Sequence, residues 1–194
     1  MSIMRNEYIR YFIGFMIAIG LIIVVIFLLF SGGGGKSPSS SDVVKPLYAY
    51  ADTDAVVRMT INGPTTAPQN RVEVQVTVGA DQAVYQQFQG YDGDVVNTQS
   101  FANTRNSYYV FLRSIAGAGF HNGNNDPSLV DSAGYCPLGR IYTFELIQNG
   151  KALQNYWATS CGGTKTYLGN LSLTTTLFEN QIPSYNTLTG DLNF

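Results

Sequence analysis

Three side chains have types suited to covalent chemistry: Cys136 and Cys161, the only two cysteines, and His121, the only histidine. A cysteine enzyme needs a thiolate nucleophile, with a nearby base or cation to hold the proton off sulfur. In an oxidising compartment the same two thiols would instead join. One His and two Cys cannot complete the common zinc sites, so no metal is expected. Asn122, Asn124 and Asp126 alternate like the first ligands of a calcium loop. Pro127, however, occupies the position that needs Gly, and Ala133 the position that needs a bidentate Glu. Asp126 and Asp131 remain as a looser calcium pair, against the ordinary reading of such residues as turn formers. No Gly-x-Ser-x-Gly, His-Glu-x-x-His or phosphate-loop pattern is present, and no cofactor is expected.

The cysteines must be positioned by the segments around them, and here the spacing is informative. Residues 140–148 and 151–159 flank Asn149-Gly150, a pair suited to the positive backbone angles of a type I′ hairpin turn. That turn sets the register directly: Leu146 faces Leu153, Phe144 faces Asn155 and Tyr142 faces Trp157, with one face almost wholly apolar that should lie against the core. Extended further, the register sets Leu138 opposite Cys161, which brings Cys136 diagonal to Cys161 and near bonding reach, with Pro137 bending the chain. A Cys136–Cys161 disulfide is therefore expected. Closing its 26-residue loop is worth roughly 3–4 kcal/mol in the chain-entropy treatment.

Upstream, Val57, Met59 and Ile61 alternate with polar residues, and so do Val72, Val74, Val76 and Val78, the two-residue period of a half-buried strand. Turn signals at 79–82 and at Asp92-Gly93 separate two further strands, 83–89 and 95–99, giving a four-stranded antiparallel meander. Asn103 or Thr104 can then cap a helix that places Tyr108, Phe111, Leu112, Ile115 and Ala116 on one face, with Gly117 and Gly119 stopping it. After Asn170 a second helical face holds Leu171, Leu177, Phe178 and Ile182, although Thr174, Thr175 and Thr176 favour a strand. The expected class is α+β.

The first 46 residues have a different character. Residues 12–30 form an uncharged apolar run, at about 1.5 Å per residue long enough to span a bilayer as a helix. The run exceeds the apolar region of a cleaved signal peptide, and no small-x-small site follows it. Arg5 and Arg10 precede it and only Lys36 follows closely, so the positive-inside rule keeps residues 1–11 cytoplasmic. Residues 31–46, rich in Gly and Ser, form a short linker. Residues 47–194 then constitute one extracytoplasmic α+β domain on a single-pass signal anchor.

Composition removes some partners. The chain carries 11 basic and 13 acidic residues, a formal net charge of -2, so no basic patch exists for nucleic acid. With 13 Tyr, 11 Phe and 1 Trp, aromatic rings are available for both a core and a recognition surface. Tyr156, which projects opposite to Trp157, is the candidate binding residue, against packing within the sheet.

Two resemblances bear on function. The stretch at 158–161 resembles the Thr-Leu-x-Thr-Cys strand end of sortases, membrane-anchored transpeptidases that use a Cys, a His and an Arg. That would make Cys161 a nucleophile and His121 its base. Thr159 does not fall at the family's spacing, His121 lacks the flanking Thr-Gly, and no Arg follows Cys161. The short basic tail, apolar run and Gly/Ser linker, with Cys136-Pro-x-Gly-Arg-x-Tyr-x-Phe-Glu-Leu and Tyr156-Trp157-Ala-Thr-Ser-Cys161-Gly, also resemble an uncharacterised family of signal-anchored surface proteins from small-genome bacteria. This second resemblance implies a bacterial envelope location and no particular activity. The expected function is a noncatalytic binding or scaffolding module at the cell membrane, meeting an envelope protein or glycan. The alternative is a transpeptidase-like cysteine enzyme using Cys161.

Overall fold

The computed structural model describes residues 45–192. The expected tail at 1–11, the anchor at 12–30 and the linker up to residue 44 lie outside the described residues, among which no helix is long and apolar enough to cross a membrane.

The described chain is an α+β unit built on one six-stranded antiparallel sheet. Its strands are β1 (Val56–Asn62), β2 (Val72–Val78), β3 (Gln82–Gln89), β4 (Asp94–Ala102), β5 (Ile141–Gln148) and β6 (Lys151–Thr159), in spatial order β4-β3-β2-β1-β5-β6. The meander and the Asn-Gly hairpin thus form a single sheet, joined where β1 pairs with β5. Alternation explains the division of its faces. Met59 lies between Val76 and Phe144, and Val57 between Val78 and Leu146, all on one face and all buried. The opposite face carries Arg58, Gln75, Thr77 and Glu145, tied by Arg58 Nε donating to Thr77 Oγ1 at 3.4 Å and by an Arg58–Glu145 ion pair at 3.6 Å. One apolar and one polar face is the usual pattern of a sheet covered by helices on one side.

The covering helices are α1 (Arg105–Gly117), α2 (Leu171–Glu179) and α3 (Tyr185–Thr189). Thr104 caps α1 by accepting the Ser107 N–H. At the far end Gly119, at φ 83°, lets its own N–H reach Ala116 O and that of Phe120 reach Ile115 O, a paired closure that satisfies the last carbonyls. Tyr108, Phe111, Leu112 and Ile115 are buried as their spacing predicts. The threonine run in α2 does not make a strand. Asn170 caps the helix through Leu173 N, Thr175 Oγ1 donates to Leu171 O at 2.8 Å, and Thr174 Oγ1 meets Tyr167 Oη at 2.6 Å. The cap, the hydroxyl partners and the burial of Thr174 and Phe178 against the rest of the fold let tertiary packing outweigh β-branched propensity. Helix α3, beyond Pro183, is an addition that the apolar pattern did not signal. It sets Tyr185 edge-on to Tyr85, with ring centroids 6.2 Å apart.

The hairpin register differs from the uninterrupted count. Gln148 faces Lys151 and Ile147 faces Ala152, but Leu146 faces Gln154, so Leu153 is an extra residue in a bulge. Every later pair is displaced by one. Phe144 faces Tyr156 rather than Asn155, Tyr142 faces Ala158 rather than Trp157, and Trp157 faces Thr143. A one-residue displacement exchanges the faces of a strand. Tyr156 therefore joins the helix-covered core, and Trp157 moves to the opposite face.

Candidate functional site

The connection from α1 to β5, residues 118–140, contains one short 3-10 turn, Pro127–Leu129, and no other helix or named strand. Connections of this length inside a compact domain are uncommon and often functional. Many contacts fix this one. Asp126 caps the 3-10 turn by accepting both the N–H and the hydroxyl of Ser128, and those bonds hold its carboxyl below the usual range. Trp157 Nε1 donates to Leu129 O at 2.7 Å, and the Tyr135 ring lies 4.9 Å from that of Trp157. The loop thus covers the indole that the bulge turned away from the core.

A second loop, residues 160–170, packs along the first. Gly123 forms an isolated antiparallel bridge with Tyr167, Asn124 N donates to Thr166 O at 2.7 Å, and Leu168 N donates to Asn122 O at 2.9 Å. Thr166 N and Tyr167 N both donate to Trp157 O, so this loop also occupies the outer edge of β6 near its end.

Cys136 and Cys161 join the two loops as a disulfide, as expected, with Cα atoms 5.7 Å apart. The route differs from the uninterrupted register. Ile141 faces Thr159, Arg140 N donates to Ser160 Oγ at 2.9 Å, and Ser160 N returns to Arg140 O at 3.0 Å. Cys136, at φ 51°, begins a tight turn closed by Gly139 N donating to Cys136 O at 3.0 Å. Gly139 is required by proximity, because a Cβ there would overlap Cys136 Sγ and Ser160 Oγ. Thr65 N donates to Pro137 O at 2.7 Å, tying the turn to the β1–β2 connection. Leu138, at the tip of this clamped turn, is 87% exposed, and Val130 in the same connection is 73% exposed.

The remaining sequence candidates fall as follows. Tyr156 is buried in the core, with Gly123 pressed so closely on its ring that a Cβ would overlap it. His121 is exposed in the turn after α1. Asp131 accepts Ala133 N at 2.8 Å, so it and Asp126 both serve local turns. Among the described residues no group of three or more His, Cys, Asp or Glu is placed to hold a metal ion. The lid of Leu129 and Tyr135 over Trp157 was not anticipated, although Asp126-Pro127-Ser128, a capping residue followed by Pro, signals the turn that builds it. No family model matches the chain, and no curated protein matches it.

Proposed function

We propose that the chain is a noncatalytic binding or scaffolding module of a bacterial cell envelope, held at the membrane by residues 12–30 and meeting its partner through the paired loops. The carrying observation is the Cys136–Gly139 turn, fixed by a disulfide and hydrogen bonds to two neighbouring segments, that still holds Leu138 in solvent. A rigid scaffold presenting loop side chains is the common arrangement of recognition sites, and prior ordering lowers the entropic cost of binding. The aliphatic tips Leu138 and Val130 favour a protein partner over a glycan, since sugars are commonly gripped on flat aromatic rings. The bond between Cys136 and Cys161 supports the noncatalytic reading, because the alternative enzyme needs the Cys161 sulfur as a thiolate. The disulfide is also in keeping with an oxidising compartment, as is the resemblance to signal-anchored surface proteins.

The test is a photo-crosslinking amino acid at position 138 in the intact, membrane-fractionated chain. A discrete envelope protein should be captured there, and Val130→Ser should weaken that capture while leaving the melting temperature unchanged. Capture that is equal from an exposed site on α1, such as Val110, would overturn the assignment of the loops. Recovery of the full-length chain as a soluble cytosolic species would overturn the location.

A further inference from the structure

We propose that two copies of the chain pair edge to edge through β4, antiparallel about a twofold axis, making one continuous sheet of twelve strands from two of six. The observation is an asymmetry between the two edges. An exposed strand edge is a row of unpaired N–H and C=O groups, which monomeric proteins ordinarily blunt with lysines, bulges or a covering segment. The β6 edge has all three: Lys151 opens it, Leu153 bulges from it, and Thr166 and Tyr167 bond to it at Trp157. The β4 edge has two, both at its start, and no covering segment among the described residues: exposed Asp94 opens it as a charge. A bulge at Val96 disturbs its start, after which residues 97–102 run in regular register with β3. Among the described residues no backbone group bonds to the outer side of β4. Most of its side chains are exposed, Val95 and Val96 by 51% and 50%.

The strand suits a second copy of itself. Residues 95–102 carry no ionisable side chain, so antiparallel registers within that segment, which leave Asp94 at the ends, set neutral groups opposite one another without a like-charge penalty. A twofold axis normal to the sheet continues like with like: the helix-covered side meets the helix-covered side, and the polar side carrying Gln75, Thr77 and Gln86 meets its equivalent. Such self-complementarity is what an isologous interface requires. At about 3.4 Å per residue, the regular segment offers roughly 20 Å of edge. That is smaller than a standard stable interface, so the dimer is weak in dilute solution. Confinement of both copies to one membrane, which rests on the anchored reading, raises their effective concentration.

The experiment is oxidative crosslinking of the full-length chain in membranes, with single cysteines introduced at positions 97–101 in turn and Val110→Cys on α1 as the exposed control. Expected is a homodimer whose linked peptides, identified by mass spectrometry, join β4 to β4 at one or two neighbouring positions. For the cysteines at 97, 99 and 101, the added pair Thr98→Lys with Ser100→Lys sets four positive charges together across the two copies at exposed positions, and the yield should fall about tenfold. A product no stronger than that of Val110→Cys, one insensitive to the lysines, or a link to a different protein would overturn the proposal. A β4-linked homodimer formed by a chain that proves to be cytosolic would uphold it while removing the anchor.

Discussion

Phe144 faces Tyr156 across β5 and β6, one position away from where an unbroken Asn149-Gly150 hairpin would set it, because Leu153 is accommodated as an extra residue. That single bulge decides which aromatic ring belongs to the core and which lies under the loops. Tyr156→Ala removes a buried ring packed beside Phe144 and Gly123, and should cost about 3–5 kcal/mol. In thermal melts of the full-length chain this corresponds to a fall of roughly 10 °C or more. A change of only a degree or two would mean that the ring contributes little to packing.

Trp157 is the only tryptophan in the chain, so its fluorescence reports on the lid formed by Leu129 and Tyr135. The native emission should be blue-shifted, as for an indole away from water. Thiol counting under denaturing conditions should find no free thiol before reduction and two afterwards. Reduction should lower stability by roughly 3–4 kcal/mol and bring the red shift of Trp157 to lower urea concentration.

The glycines divide into those that the packing requires and those that it does not. Gly139→Ala drives a methyl group into the Cys136 and Ser160 side chains and should destabilise by about 1–3 kcal/mol. Gly117 lies in α1 with nothing near its missing Cβ. Gly117→Ala should therefore stabilise by about 0.5–1 kcal/mol. Urea midpoints moving in opposite directions would bear out both assignments, and equal losses would contradict them.

Burial raises the carboxyl of Glu179 above its ordinary value of 4.5, opposed by the positive charge of Arg140. A carboxyl that the folded state prefers protonated contributes its stability at low pH. It loses that contribution as pH climbs from the unfolded value through the raised native one. Glu179→Gln keeps the shape and removes the titration. The stability of the variant relative to the parent should therefore rise as pH increases from about 4 towards neutrality, then level off. Urea midpoints across that range provide the check. A variant that loses ground over the same interval would mean that attraction to Arg140 dominates.

How much of this was legible depended on whether the signal was local. Alternation in 57–61 and 72–78, the helical spacing of Tyr108, Phe111, Leu112 and Ile115, and a cap at Asn103 or Thr104, which falls on Thr104, are consequences of neighbouring residues, and the structure follows them. The cysteine pair was reachable because a turn dipeptide fixes approximate register. Thr174, Thr175 and Thr176 were ambiguous, since their local preference opposed the apolar face and hydroxyl partners had to be found elsewhere, as at Tyr167.

By itself, then, the sequence determined the strands, helix α1, the staple between Cys136 and Cys161, and the amphipathic faces of β1, β2 and α1, because each depends on periodicity or on a turn a few residues long. Tertiary structure decided the bulge at Leu153, the exchange of Tyr156 and Trp157 between faces, the joining of β1 to β5, and the difference between a closed β6 edge and an open β4 edge. Those outcomes depend on which surfaces find cover in three dimensions. The extra residue is accommodated because it lets Tyr156 fill the space beside Phe144 while Trp157 finds an acceptor at Leu129, a gain shared among segments that no local pattern relates.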